Sequence, residues 1–198
     1  MSSRFARSLT ILMLGLTLLT FLGTRAYADG IEPNFENEKS SIDKDGNMRL
    51  ELAASLNAPE AKVYEALTNP EKLSKYAAEI TSVKVLSTSA TGKVVEYHGA
   101  TGVNPGTKPL VVKFTFDPAK QTITAQSAAN APVTFHADYV LSASKDGKST
   151  EIRYVSVSSD PSKAMGTKVP EFMRKGAGIN TFMKTLWTVG QYIQHGGK

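Results

Sequence analysis

The chain has 198 residues, a length typical of one domain, so two full enzyme domains would not fit. Hydrophobic residues make up 41% and charged residues 21%, which excludes a wholly disordered or collagen-like chain. The formal charge of +5 does not indicate a nucleic-acid partner, because the basic residues are scattered rather than gathered on one face. We therefore expect a globular protein that does not bind nucleic acid.

Residues 1–28 have the three-part layout of a secretory signal peptide. Arg4 and Arg7 precede an apolar stretch, Leu9 to Leu22, which is shorter than the roughly 20 residues that cross a bilayer as a helix. The small-residue pattern that ends at Ala28 predicts cleavage after that residue. An uncleaved membrane anchor is the alternative. The sequence thus predicts a periplasmic or secreted bacterial protein whose mature chain begins near Asp29.

The sequence contains no cysteine. An exported chain without cysteine forms no disulfides, so its stability depends on its hydrophobic core. The same lack excludes every cysteine-nucleophile mechanism and removes a common soft metal ligand. Three histidines at unrelated positions form no recognised metal motif, and no glycine-rich phosphate loop precedes a helix. We expect neither a metal nor a cofactor.

The mature chain opens with a polar segment, a strand and a pair of short helices. Residues 29–46 are polar and acidic, which is typical of an N-terminal arm or an edge strand. From Met48 to Leu56 apolar and polar residues alternate with the period of a half-buried strand. Asn57 and Glu60 form a capping-box variant, and Pro59 suits a first helical turn. The pattern predicts a helix-loop-helix over residues 57–77.

Six strands and one long helix follow in the prediction. The strands lie near residues 80–87, 93–99, 108–117, 121–128, 133–144 and 149–158. Short links rich in Gly, Pro, Asn and Asp between them indicate antiparallel pairing. From about Glu171 to Gln194 apolar residues recur at helical spacing. Residues 47–196 are therefore predicted to form a single α+β domain.

This order of elements resembles the SRPBCC, or START-like, superfamily. The local likeness lies in NAPEAKVYEALTNPEKLSKY, from Asn57 to Tyr76, and ITSVKVL, from Ile80 to Leu86. It is closest to exported polyketide cyclase/dehydrase and lipid-transport-type domains, and it extends over about residues 48–194. The family's usual aspartate and proline near the helix pair stand here as Asn69 and Ala78. The resemblance implies the helix-grip fold, in which a curved antiparallel sheet of about seven strands wraps around a long C-terminal helix.

The helix-grip fold leaves a cavity between sheet and helix, and related domains use it for apolar or amphipathic small molecules. Alternation along the strands predicts which side chains face that cavity, and helical spacing adds one side of the C-terminal helix. The residues expected to line it are Tyr97, Val112, Phe114, Phe135, Tyr139, Tyr154, Phe172, Met173, Gly176, Asn180, Met183 and Trp187. Their polar groups could bind a ligand, one another or the backbone.

One polar cluster is tempting as a catalytic site. His136 and Asp138 alternate on one predicted strand, with Arg153 on the next. These residues have the parity opposite to Tyr139, so we expect them on the solvated convex face. With no inward acid or base identified, and with the usual pKa of tyrosine far from neutrality, binding outranks catalysis. We predict no catalytic residue.

Three functions stay open on the sequence alone. The first is an exported carrier or binding protein for an apolar or amphipathic small molecule, such as a lipid, a quinone or a polyketide-like compound. The alternative is a cyclase, dehydratase or isomerase in which Tyr97, Tyr139 or Tyr154 donates a hydrogen bond to a developing oxyanion. The third is an envelope interaction module without a cavity. We expect a monomer that contacts a membrane surface transiently.

Overall fold

The computed structural model describes residues 31–99 and 108–197. The predicted signal peptide and its cleavage site lie outside the described residues. The strands are β1 (Pro33–Ile42), β2 (Met48–Leu56), β3 (Ile80–Ser89), β4 (Gly92–Gly99), β5 (Leu110–Asp117), β6 (Thr122–Ser127), β7 (Phe135–Ala143) and β8 (Thr150–Ser158). The helices are α1 (Glu60–Leu67), α2 (Pro70–Leu73), α3 (Ser162–Met165) and α4 (Glu171–Gln194), with a 3-10 turn at Ser74–Tyr76.

The strands form one antiparallel sheet in the order β1-β2-β8-β7-β6-β5-β4-β3. Neighbours in the sheet are mostly neighbours in the chain, as expected for short links between hairpins. The exception is β2, which pairs with β8 because α1 and α2 carry the chain away before β3 begins. The predicted α+β layout is confirmed, with residues 33–42 of the polar segment added as the edge strand β1.

The start of α1 differs from the predicted one. The helix begins at Glu60 with Pro59 as its N-cap, and no side chain caps it. Pro59 has an extended backbone, and the N–H of Ala58 donates to the carbonyl of Leu56. The chain therefore turns before the helix begins, which leaves Asn57 too far from the first helical turn to cap it.

The hydrophobic core consists of two clusters. The larger one joins β2, β8, α1 and α4 and includes the fully buried Leu56, Ile152 and Phe182. The smaller one lies on β4, β5 and β6. Phe114 and Phe135 pack against both clusters while staying partly exposed. The sheet thus carries apolar side chains beyond the region that α4 covers.

Within residues 31–99 and 108–197, none of the helices combines the length and the apolar character that a bilayer crossing requires. The long helix α4 is instead amphipathic. Three of its buried residues, Phe182, Leu186 and Val189, lie on one side of the helix, and each is 0% exposed. We call this side the buried ridge. Burial of these apolar side chains stabilises the packing of α4 against the sheet.

Two glycines of α4 should respond to alanine with opposite signs. A Cβ on Gly190 would lie 2.1 Å from the carbonyl oxygen of Ile31, whereas a Cβ on Gly176 would meet nothing within 4 Å. We expect Gly190→Ala to destabilise the fold by about 1–3 kcal/mol, since the backbone of Ile31 must move. Gly176→Ala should stabilise it by about 0.5–1 kcal/mol, because alanine favours a helix. Urea unfolding of both variants measures the difference, and equal effects would contradict this packing.

Candidate functional site

The concave face of the sheet has two different ends. At one end α1 and α2 lie against the start of β4, where Lys93 contacts Glu71 of α2, and Thr150 of β8 donates to the carbonyl of Ala58. We call this the closed end. At the other end lie the β1–β2 turn, residues 128–134, residues 159–170 and the first half of α4. We call this the open end.

The concave face carries aromatic side chains that stay partly exposed. Phe114, Phe116, Phe135 and Tyr139 all have the inward parity of their strands, and all are only half-buried. Smaller side chains accompany them on the central strands, among them Ala125 and Ala137. Apolar surface left between a sheet and its helix is the usual wall of a small-molecule site.

The sheet residues predicted to line the cavity occupy the predicted side. Register places Val112 opposite Val95 and Phe114 opposite Ala125, all with inward parity. The members of the predicted set on the sheet divide into buried Tyr97, Val112 and Tyr154 and half-buried Phe114, Phe135 and Tyr139. That these residues contact a ligand stays a prediction.

The helix turns a different side to the sheet than the sequence suggested. Phe172 is 74% exposed and Met173 is 49% exposed. Gly176 and Asn180 are also exposed, while Met183 and Trp187 are half-buried. The sheet is met instead by a ridge that includes Gly178 and Phe182. Helix α4 has two apolar sides. The side that packs against the sheet carries the fully buried residues Phe182, Leu186 and Val189.

An aromatic group joins helix and sheet at the centre of the site. The ring centroids of Tyr139 and Tyr154 are 4.9 Å apart, and Tyr154 stacks on Phe182 at 4.9 Å. Burial raises the pKa of Tyr139 well above its ordinary value and also raises that of Tyr154. An interaction between the side-chain hydroxyls of Tyr139 and Thr185 of α4 opposes part of this rise in the pKa of Tyr139. These phenols therefore stay protonated near neutral pH and can donate hydrogen bonds, but they do not act as bases.

A pocket of about 410 Å³ lies at the open end. Its lining includes Asn47 of the β1–β2 turn, Ser127 at the end of β6, Phe135 at the start of β7 and Ser159 after β8. Two hydrogen bonds between Thr134 and Ser159 tie these strand ends together. The volume falls in the range of small-molecule sites. Gln126, His136 and Val157 also line this pocket and have the outward parity of their strands, so it opens at the strand ends towards the convex side of the sheet.

Comparison with known proteins gives a match in structure only. No protein-family model matches the chain, and no curated protein matches it in sequence. The Zhui aromatase/cyclase from a Streptomyces species superposes with a TM-score of 0.57 at 16% identity, over 73% of this chain and 93% of that one. A STAR-related lipid transfer protein fragment from Xanthomonas axonopodis gives 0.55 at 12% identity, over 80% of this chain and 99% of that one. The chain shares the helix-grip fold of these structures.

The di-domain aromatase/cyclase BexL is another structure with a similar fold. It superposes with a TM-score of 0.55 at 12% identity, over 72% of this chain and 49% of that chain. At such identities the likeness concerns the fold, and residue roles do not transfer with it. The chemistry of this helix-grip domain must therefore be argued from its own side chains.

One inward polar group escaped the sequence analysis. Lys93 has the same parity on β4 as Val95 and Tyr97, and its side chain is 14% exposed. Its ammonium donates to Glu71 Oε1 at 2.7 Å and to Asn69 Oδ1 at 3.1 Å. The signal was the alternation that placed Val95 inward, because extending it by two residues reaches Lys93. The ion pair between Lys93 and Glu71 could not be predicted in this way, because alternation along a strand does not show where α2 lies.

The ion pair between Lys93 and Glu71 lies close enough to Tyr97 to affect the pKa of its phenol. Burial, and secondly the Glu71 carboxylate, raise the pKa of Tyr97 far above its ordinary value. Glu71 Oε2 is buried and has no hydrogen-bond partner among the described residues. The closed end of the concave face thus brings together a carboxylate, an ammonium and a protonated phenol, groups that can bind or polarise the polar part of a ligand.

The tempting cluster of His136 and Asp138 lies on the convex face, as predicted. Register places the two residues opposite Val157 and Val155, on the side away from α4. His136 Nε2 lies 3.2 Å from Asp138 Oδ2, and Thr124 donates to Asp138 Oδ1 at 2.7 Å. His136 and Arg153 are exposed. The cluster is a surface network outside the cavity.

His98 and Glu96 form a second pair, 2.9 Å apart, on the convex side of β4. Among the residues that the structure describes, no three histidine or carboxylate side chains are grouped so that they could hold a metal ion.

Proposed function

We propose that this protein is an exported carrier or binding protein that holds an apolar or amphipathic small molecule between its sheet and α4. The observation that supports this most directly is the set of four half-buried aromatic residues on the concave face, Phe114, Phe116, Phe135 and Tyr139. Further support comes from the relatives, one named as a lipid transfer protein and others as aromatase/cyclases. A lipid, a quinone or a polyketide-like compound fits this chemistry.

Binding in such a site draws on two physical effects. Each Å² of apolar surface removed from water contributes about 25 cal/mol, and the half-buried aromatics supply such surface on the protein side. The phenols of Tyr139 and Tyr154 stay protonated and already interact with the hydroxyls of Thr185 and Ser156, so a polar end of the ligand would join these hydroxyl pairs. The expected ligand therefore has a large apolar body and few polar atoms.

The experiment is native mass spectrometry of the protein purified from bacterial periplasm without detergent, followed by organic extraction. We expect a discrete apolar species to co-purify in a one-to-one complex. A protein that emerges empty, and stays empty after incubation with an extract of total membrane lipids, would count against a carrier. The intact mass also tests export, since cleavage after Ala28 predicts a chain that begins at Asp29.

Alanine substitutions at Phe114 and Phe172 allow a matched test of where the ligand binds. Phe114 is half-buried on the concave face, whereas Phe172 lies 74% exposed on the outer side of α4. Phe114→Ala should weaken binding of the extracted ligand by about 10-fold or more, since a buried aromatic contact contributes at least 1–2 kcal/mol. Phe172→Ala should leave the affinity unchanged. Titration of each variant with the extracted compound measures both, and the reverse order would place the ligand on the other side of the helix.

The alternative function is an enzyme of the cyclase, dehydratase or isomerase type, and the closed end gives a specific reason to keep it. Lys93 and Glu71 provide an inward ammonium and carboxylate of the kind that proton transfer requires. The same extraction discriminates the two functions. A carrier and its Lys93→Met variant should yield the same compound. An enzyme should yield product from the wild type and unreacted substrate, of a different mass or isomeric form, from the variant.

A further inference from the structure

The three most exposed large apolar side chains among the described residues belong to one short segment at the start of α4. They are Phe172, Met165 and Met173, which are 74%, 55% and 49% exposed. The other large apolar side chains at the surface are at most 45% exposed and are spread over three strands. Single exposed apolar residues are common, but a concentration of them marks an interaction site. We call Met165, Phe172 and Met173 the exposed patch.

The exposed patch belongs to a compact loop and to the first turn of α4. Met165 ends α3, and the N–H of Val169 donates to the hydroxyl of Ser162 at 3.0 Å. That hydrogen bond closes residues 162–169 into a loop. The other two residues of the patch follow in the first turn of α4. Since only Pro170 separates the loop from α4, all three apolar side chains lie near the N-terminal end of that helix.

Polar contacts hold this end of α4 against the sheet. Arg174, which directly follows the patch, donates to the carbonyl of Gly46 at 2.7 Å, and its Nη1 lies 3.8 Å from Asp160 Oδ1. The next residue, Lys175, forms an ion pair with Glu38 of β1. The patch is therefore exposed on a helix end that is fixed to β1 and to the β1–β2 turn, and not on a free terminus.

The size of the exposed patch argues against a second copy of the chain as its partner. A stable protein–protein interface takes about 800 Å² and about 20–30 residues from each partner. Three side chains provide only a small part of that surface. A membrane differs, because its interfacial region accepts single aromatic and aliphatic side chains without a matching surface. The small area of the patch thus favours a lipid surface.

The charges around the exposed patch also fit a membrane. Residues 161–175 contain four basic residues and one acidic residue. Asp160 and Glu38 are the counter-charges of two of the basic residues, Arg174 and Lys175. That leaves two lysines against one glutamate, so the surroundings of the patch are net positive. Anionic lipids attract basic residues that lie close to the membrane surface.

We propose that the exposed patch docks this protein onto the surface of an anionic lipid bilayer, with the side chains of Met165, Phe172 and Met173 inserted among the lipids. The apolar side chains provide most of the affinity, and the net positive charge adds a smaller part. This inference assigns a partner surface and does not depend on the proposed carrier function. It also gives Phe172 a role that neither the folded state nor the ligand site requires.

The first test uses the lack of cysteine in the chain, since a single introduced thiol can be labelled at a chosen position. Phe172→Cys and Leu86→Cys are purified from periplasm and labelled with the environment-sensitive fluorophore NBD. Leu86 is 45% exposed on the edge strand β3 and is therefore a matched apolar surface position. Vesicles of equal parts phosphatidylglycerol and phosphatidylcholine should shift the NBD emission of the first variant to shorter wavelength and leave that of the second unchanged.

Sedimentation of unlabelled protein with the same vesicles measures the affinity. Phe172→Ala should weaken it by about 10-fold or more, because a phenylalanine side chain is no longer transferred from water into an apolar phase. Leu86→Ala should leave the affinity unchanged. Lys168→Gln removes an exposed charge between α3 and α4. It should weaken binding to these vesicles but not to vesicles of phosphatidylcholine alone.

Three results overturn this inference. The first is a wild type that does not bind the vesicles, and the second is equal binding of the wild type and Phe172→Ala or an equal response of the two labels. The third is a dimer, seen by light scattering without vesicles, that Phe172→Ala dissociates, because the patch would then be a contact between two copies. The extracted ligand tests the proposed function separately. A protein that docks on vesicles but purifies empty keeps this inference while the carrier function fails.

Discussion

Phe182→Ala should destabilise the protein by about 3–5 kcal/mol, the range for truncating a fully buried phenylalanine. Phe182 is 0% exposed, stacks on Tyr154 with ring centroids 4.9 Å apart, and lies 6.5 Å from the ring of Tyr139. Its removal leaves a void where α4 meets the sheet and also ends two aromatic contacts. Urea denaturation, followed by far-UV circular dichroism, measures the change in the free energy of unfolding.

The matched control is Phe172→Ala on the same helix. Phe172 is 74% exposed, so its truncation should change the free energy of unfolding by less than about 0.5 kcal/mol. Because both substitutions remove the same atoms from the same helix, helix propensity cancels in the comparison. A large loss from Phe172→Ala together with a small one from Phe182→Ala would mean that α4 packs through the side that the sequence analysis chose.

The strands could be predicted because their pattern is local. In β2 the alternation of buried and half-exposed residues from Met48 to Leu56 is visible in the sequence itself, and the observed bounds agree with the predicted ones. The same holds for α4, whose 24 residues match the predicted span. Period and turn chemistry are set within a few residues, so a single sequence is enough to find such elements.

The orientation of α4 could not be predicted in the same way. Helical spacing shows that Phe172, Met183 and Trp187 share one side, and that Phe182, Leu186 and Val189 share another. Which side packs inward depends on contacts distant in the chain, such as Gly178 on Leu50 and Gly190 on Ile31. Two apolar sides of similar quality leave the choice to tertiary packing, and a periodicity argument does not see that packing.

Two buried charged side chains were missed for a related reason. Arg174 and Lys93 look like ordinary charged residues of an amphipathic helix and a strand. Their burial follows from partners far along the chain, Gly46 for Arg174 and Glu71 for Lys93. Lysine and arginine are rarely buried, so a sequence analysis places them at the surface by default. A buried charge becomes visible only when the fold brings its partners together.

The stability of the folded protein should fall steeply above pH about 10, where tyrosines of the unfolded chain lose their protons. The folded state raises the pKa of Tyr97, Tyr139 and Tyr154, in each case chiefly by burial. Below pH about 10 both states hold these protons, and the free energy of unfolding does not depend on them. Above it the unfolded state releases protons that the folded state keeps, so each such tyrosine lowers the free energy of unfolding by about 1.4 kcal/mol per pH unit.

Urea denaturation between pH 9 and pH 11.5 measures that slope. Tyr139→Phe removes one titrating group while keeping the ring, so its slope should be smaller than that of the wild type by about 1.4 kcal/mol per pH unit. Tyr97→Phe should act alike, and the double variant should show the sum, since lysines and the other tyrosines titrate equally in all of these proteins. Identical slopes in wild type and double variant would show that the two phenols ionise in the folded state as they do in water. They would then be too well solvated to serve as the protonated donors of a closed ligand site.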